Sequence, residues 1–149
     1  MRIVIQRVTR ASVSIEGRVE SAIEKGMMVL LGVGYADTDD DIDWLVKKTI
    51  NLRIFDDSEG VMNLSVKDVE GSILVVSQFT LMASCKKGNR PSYIHAASPD
   101  VSIPLYERFC QRLSEELGKP VPTGVFGADM QVELVNDGPV TIVIDSKDK

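Results

Sequence analysis

Apolar and polar positions alternate at the start of the chain. Ile3 and Ile5, then Val13 and Ile15 after a polar break, have strand spacing, and Glu16-Gly17-Arg18 has the composition of a tight turn. The stretch GMMVLLGVG, residues 26–34, is a continuous apolar run bounded by glycines, the pattern of a buried strand. A β meander is predicted for the first quarter. The period then changes to 3.6: Ile42, Leu45, Val46, Thr49 and Ile50 share one helical face, with Thr38 as N-cap and acidic residues in the first turn, where they favour the helix dipole. A second stripe, Leu105, Phe109, Leu113 and Leu117, predicts a helix from about Ser102 to Leu117 with Pro104 near its start and Gly118 as its stop. Between the helices, Ser72 to Leu81 is expected as a central strand, followed by a polar, basic loop without periodicity.

The last segment, GADMQVELVNDGPVTIVID, predicts two strands around Asn136-Asp137-Gly138-Pro139. Asn-Asp-Gly alone would supply a hairpin turn, because these residues tolerate positive φ. Pro139 is surplus to that need. It removes a backbone donor at a strand entrance and gives the chain access to a cis peptide bond. With no internal repeat, low-complexity segment or linker, the pattern predicts one α+β domain over residues 1–149, an antiparallel sheet with flanking helices.

Composition narrows the setting. The chain is long enough to build a core without staples, and no apolar run approaches the length a bilayer requires. Met-Arg-Ile-Val-Ile-Gln-Arg alternates like a strand rather than a signal peptide, so a cytoplasmic protein with no membrane partner is expected. Cys85 and Cys110 have no metal spacing and are expected as reduced thiols. The acidic cluster Asp37, Asp39, Asp40, Asp41 and Asp43 lacks the central glycine and terminal glutamate of a calcium loop and reads as a helix start; no metal and no cofactor are expected. His95 is the only histidine and reads as a solvent-facing loop residue, and Trp44 adjoins the apolar stripe of its helix.

Candidate chemistry concentrates where the predicted central strand turns polar. Ser77, Gln78, Phe79 and Thr80 follow Ile73-Leu74-Val75-Val76, at the end of a sheet, where backbone N–H groups become available to a ligand. Thr80 is a candidate nucleophile with no base in its sequence neighbourhood, and Ser77 and Thr80 have a plain structural alternative as bonds between strand ends. Lys86, Lys87 and Arg90 form the one local positive concentration on a chain of net charge −5, enough for a few phosphates but not for wrapping a long nucleic acid.

SQFTL at Ser77–Leu81 and NDGPVT at Asn136–Thr141 resemble the two signature motifs of the D-aminoacyl-tRNA deacylase family. QRVTRASV (Gln6–Val13), LGVG (Leu31–Gly34), LRIFDD (Leu52–Asp57), MNLSV (Met62–Val66), RPSY (Arg90–Tyr93) and FGADM (Phe126–Met130) match in the same order, so the resemblance spans essentially the whole chain. Val61 departs from it, standing where family members often carry a basic residue.

The resemblance implies a proofreading hydrolase that cleaves the ester between a D-amino acid and the terminal adenosine of tRNA. It implies a homodimer with a barrel-like β core, in which a cis Gly138-Pro139 of one subunit enters the pocket of the other, accepts hydrogen bonds from the substrate amino group and excludes L-amino acids. Arg7 would orient that motif, with Met130 and Asn136 also binding substrate. Ser77, Gln78, Phe79 and Thr80 would line the adenosine and ester end, with N–H groups near Phe79 and Thr80 facing the oxyanion. Catalysis would use the 2′-hydroxyl of the terminal ribose rather than a side-chain base. The partners implied are the tRNA acceptor end carrying a D-amino acid, or glycine mischarged on alanine tRNA, with no DNA. Two rivals are an esterase of another substrate class with Thr80 as nucleophile and a non-catalytic dimer that binds tRNA ends or nucleotides.

Overall fold

The computed structural model describes all residues from Met1 to Lys149. Its strands are β1 (Arg2–Ile15), β2 (Arg18–Ile23), β3 (Gly26–Gly32), β4 (Phe55–Asp56), β5 (Met62–Leu64), β6 (Ser72–Ser77) and β7 (Gln131–Asp145); its helices are α1 (Asp39–Asn51) and α2 (Pro99–Leu117), with a 3-10 turn at Phe79–Met82. The architecture is α+β. The main sheet runs β2-β1-β3-β6, with β7 laid along the whole of β1, and β4 pairs with β5 in a separate ribbon.

Three expectations are corrected by the pairing. The sheet is not purely antiparallel, because β3 and β6 run parallel, Gly26 opposite Ser72 and Leu31 opposite Ser77. A helix stands between these strands in sequence, and a strand-helix-strand crossover brings its strands back side by side in the same direction. The terminal segment is not two strands of a hairpin. Both halves of β7 pair with β1 in one direction, and Asp137–Val140 bulge out between the Val8–Asn136 and Gln6–Thr141 pairs. Finally, the strand expected over Ser72–Leu81 stops at Ser77 and gives way to the 3-10 turn.

A second irregularity curls the sheet. Ile3 and Ile5 face the helices, whereas Val8 faces the opposite side, as strand alternation requires. Thr9 is then an extra residue between the Val8–Asn136 and Arg10–Val135 pairs, so Ala11 and Val13 share the face of Val8. One strand thereby serves two cores. The larger joins Ile3, Ile5, Met27, Val29, Leu31, Ile73 and Val75 to Ile42, Leu45, Val46 and Ile50 of α1 and to Leu105, Phe109, Leu113 and Leu117 of α2. The smaller gathers Val8, Ala11, Val13, Ile23, Met28, Leu74 and Val76.

Helix ends follow local chemistry. Thr38 and Asp41 form a reciprocal capping box at α1. The second helix starts at Pro99 rather than near Ser102: Ser98 is its N-cap residue, Pro99 takes the first turn where its missing N–H costs nothing, and Pro104 falls inside. Gly118 ends it in the left-handed conformation at φ 82°. Each acid of the cluster that has a partner finds it within the protein: Asp37 accepts from the Gly34 N–H and the Met1 ammonium, Asp39 pairs with Arg108 and Asp43 with Arg112. Trp44 is half-buried against the main core, with the Lys48 and Lys149 ammonium groups 5.4 and 5.1 Å from its ring centre. Both cysteines are free, and burial pushes the Cys110 thiol up to about 12. No helix is long and apolar enough to cross a membrane.

The chain ends are joined by carboxylates. Burial by itself would raise the Asp41 carboxyl, but hydrogen bonds from Ser146, the Thr38 N–H and Lys147 together outweigh it and hold the group well below the usual carboxylate range. Burial is likewise outweighed at Asp145, where the Lys147 N–H and Arg2 lower the carboxyl. A carboxyl lowered on folding adds stability that is fully present above its unfolded value of about 4 and is lost as pH falls through the folded value. The melting temperature is therefore expected to hold from pH 8 to 5 and to drop below about pH 4. Asp41→Asn should lower it at neutral pH and flatten the acid limb, which thermal unfolding followed by circular dichroism across this range checks; an acid limb as steep as that of the parent protein would refute the assignment.

Candidate active site

Main-chain geometry at the end of β6 creates the first part of the site. The Gln78 N–H donates to the Leu31 carbonyl at 2.8 Å as the last rung between β6 and β3, after which the chain tightens into the 3-10 turn. The turn leaves the N–H groups of Phe79 and Thr80, its first two donors, without an acceptor inside it. Close packing depends on Gly32: a side chain there would approach Leu81 Cβ to 2.9 Å and the Gln78 carbonyl to 3.1 Å.

Beside this turn lies a cleft of about 310 Å³. Val76, Ser77, Gln78 and Phe79 form one wall; Phe126, Gly127, Ala128, Asp129, Met130 and Val132 form the other. Met130 lies across Gly124, where an added Cβ would stand 2.5 Å from its sulfur. Phe79 is 54% exposed, and its ring meets that of Tyr93 edge-on, with centroids 5.1 Å apart. The Gln78 side-chain amide donates to the Thr80 hydroxyl. His95 borders a different cleft, with Met1, Arg2, Tyr35 and Cys85.

The second part of the site is the bulge of β7 and the side chain beneath it. Arg7 is 8% exposed. Its Nε donates to the Asp137 carbonyl at 3.1 Å and its Nη1 to the Ile54 carbonyl at 2.7 Å, while the Asp56 and Asp137 carboxylates stand 3.5 Å away. Asn136 closes the bulge, accepting from the Val140 N–H at 3.2 Å and donating to the Thr141 hydroxyl at 3.0 Å. At the exposed tip, Gly138 has φ 122° and the Gly138–Pro139 peptide bond is cis. A Cβ on Gly138 would come within 3.0 Å of both Arg7 Nη2 and Val140 Cγ2.

The predicted site residues therefore fall into two groups. Ser77, Gln78, Phe79, Thr80 and Met130 surround the cleft or its turn; Arg7, Asn136, Gly138 and Pro139 form the bulge. The pairing of Arg7 with Met27, and of Met27 with Ile73, sets the bulge roughly 13 Å along the strands from the level of Ser77, with β1 and β3 between β7 and β6. One chain does not bring them together. Sequence reasoning missed the Ile54 carbonyl, which has no side-chain signal, and Tyr93, whose only sign is its place in the RPSY block. Val61, the departure from the family pattern, is exposed and bonds Asp57 through its main chain.

Residues 4–145 match the family described as D-Tyr-tRNA(Tyr) deacylase. The chain belongs to this family. A D-aminoacyl-tRNA deacylase of Bacteroides fragilis is 67% identical over 149 residues, covering 100% of this chain and 99% of the relative. One of Flavobacterium johnsoniae is 61% identical with the same coverage. Among solved structures, a c-Myc DNA unwinding element binding protein superposes with a TM-score of 0.91 at 43% identity, covering 97% of this chain and 98% of the other. A probable eukaryotic D-amino acid tRNA deacylase shares the fold, with a TM-score of 0.82 at 20% identity over 96% and 97% of the two chains. The chain thus carries the deacylase fold, with SQFTL at the cleft and NDGPVT at the bulge.

Proposed function

We propose that this deacylase works as a dimer in which the Ser77–Thr80 turn of one subunit holds the ester and the Gly138-Pro139 tip of the other tests chirality. The protein is a D-aminoacyl-tRNA deacylase, a hydrolase that releases free tRNA and a D-amino acid. The observation that carries the finer reading is the separation of the two signature motifs within one chain: the bulge is exposed, held by Arg7, and takes no part in lining the cleft beside Ser77–Phe79. A second copy supplies what is missing.

In that arrangement the terminal adenosine lies against exposed Phe79, where a base gains about 1–3 kcal/mol by stacking. The ester carbonyl faces the free N–H groups of Phe79 and Thr80, which stabilise the oxyanion as it forms. Main-chain carbonyls of the partner's bulge accept from the substrate amino group and leave no room for an L side chain. Glycine has no side chain to collide, so glycine mischarged on alanine tRNA is a second substrate. The water is activated by the terminal 2′-hydroxyl, a reading supported by the surroundings of Thr80, whose hydroxyl accepts from the Gln78 amide and donates to no base. The cell compartment is the cytoplasm, where charged tRNA is used.

The decisive test offers purified protein D- and L-tyrosyl-tRNA and glycyl-tRNA(Ala) and follows ester loss. The D and glycyl esters should disappear and the L ester persist; equal loss of D and L would indicate a general esterase, and loss of none a tRNA-end binder. Thr80→Ala is expected to retain activity within about tenfold of the parent, since loss of a nucleophile costs far more. A fall of several orders of magnitude in a folded variant would restore the threonine-nucleophile reading.

A further inference from the structure

The loop that follows the active turn is built to stay beside it. Ser84 and Ser92 exchange both backbone hydrogen bonds at 2.8 Å, pinching residues 85–91 into a closed excursion. Tyr93, the next residue, is the ring that meets Phe79. The base of the loop is thus pinned to the proposed adenosine platform, and its exposed tip carries Lys86, Lys87 and Arg90. These three cations have no carboxylate within 4.0 Å, unlike Arg2 and Lys147 in the adjoining cleft, which are neutralised by Asp145 and by Asp37 and Asp41. Arg90 lies three residues from Tyr93, within roughly 10 Å of chain reach.

We propose that Lys86, Lys87 and Arg90 grip the phosphates of the single-stranded tRNA 3′ end just upstream of the terminal adenosine, and so set affinity for tRNA without entering the chemistry. The proposal rests on the placement of that adenosine at Phe79. A strand whose last base stacks on Phe79 leads its backbone over Tyr93 and onto the loop tip, where three free positive charges replace its counterions. Each phosphate neutralised on a single strand adds about 0.7 to the slope of log affinity against log salt. Three contacts therefore give a slope near 2 and, at about 0.15 M salt, roughly a ten- to fifty-fold gain in affinity.

The test removes all three charges, Lys86→Ala with Lys87→Ala and Arg90→Ala, and compares two substrates: D-tyrosyl-tRNA and D-tyrosyl-adenosine, which has no phosphate. The triple variant should raise KM for the tRNA roughly ten- to fifty-fold, lower the salt slope by about 2 and leave kcat/KM for the adenosine ester within twofold. Lys25→Ala with Lys67→Ala and Lys119→Ala removes the same charge from the opposite end of β6 and should leave the tRNA slope unchanged. Lys86→Arg with Lys87→Arg and Arg90→Lys should restore binding. An unchanged KM and slope in the loop variant, or an equal loss in the distant one, would overturn the proposal. Were the parent to cleave neither ester, the functional reading would fail first; anisotropy of a labelled ACCA oligonucleotide would then decide the loop, with loss of salt-dependent binding in the loop variant supporting it and unchanged binding refuting it.

Discussion

Gly138→Ala is expected to reduce hydrolysis of D-tyrosyl-tRNA by roughly a hundredfold or more while leaving the protein folded, because displacing a positioning group by about 1 Å is enough for that loss. The residue has φ 122°, in the region that L side chains rarely adopt, and its new Cβ would crowd Arg7 Nη2 and Val140 Cγ2 at 3.0 Å. Neither neighbour yields freely. Arg7 is committed to the Asp137 and Ile54 carbonyls, and the Val140 N–H is tied to Asn136. The bulge must therefore shift as a unit, carrying the main-chain carbonyls proposed as the chiral selector out of register. The strain costs about 1–3 kcal/mol at an exposed tip outside both cores, so thermal unfolding should fall modestly. Single-turnover hydrolysis of the D and L esters, alongside melting curves, separates the two effects. Parental D activity with parental discrimination would make the bulge a mere connection.

The legibility of these features in the sequence differed with their physical origin. Features set by near neighbours were plain: the Thr38 cap, the α1 stripe and the Gly118 stop each follow from contacts within a few residues. The start of α2 is equally local, in Ser98-Pro99-Asp100, but it lies a full turn ahead of the apolar stripe that begins at Leu105. Features set by strand pairing were not legible. Nothing in VELVNDGPVTIVID distinguishes a hairpin from a bulged strand, since the outcome depends on which strand each half finds, and β1 is long enough to take both. The extra Thr9 that turns Ala11 and Val13 onto the second core is likewise a matter of register. For the site, the resemblance led to both motifs and to Arg7, whereas the spatial fact that gives them meaning, their separation by the two strands β1 and β3, exists only in the fold.

That separation leads to the second large effect. Phe79→Asp replaces an exposed ring that contacts only Tyr93 among aromatics, so the fold should survive, while a lost stacking platform and a negative charge facing phosphate should lower activity roughly a hundredfold. Each variant alone, Phe79→Asp or Gly138→Ala, should then be nearly inactive. Mixed and allowed to exchange subunits, they should recover. In a heterodimer the intact cleft of the Gly138→Ala subunit faces the intact bulge of the Phe79→Asp subunit, while the other site holds both defects. Random exchange makes half of the dimers hybrid with one good site of two, so activity should rise to about a quarter of the parent value under two-fold symmetry. If cleft and bulge served each other within one subunit, every subunit in the mixture would carry one defect and the activity would stay at the level of the separate variants. Following D-tyrosyl-tRNA hydrolysis after mixing, with sedimentation to confirm dimers, decides between a site shared across the interface and one closed within the chain.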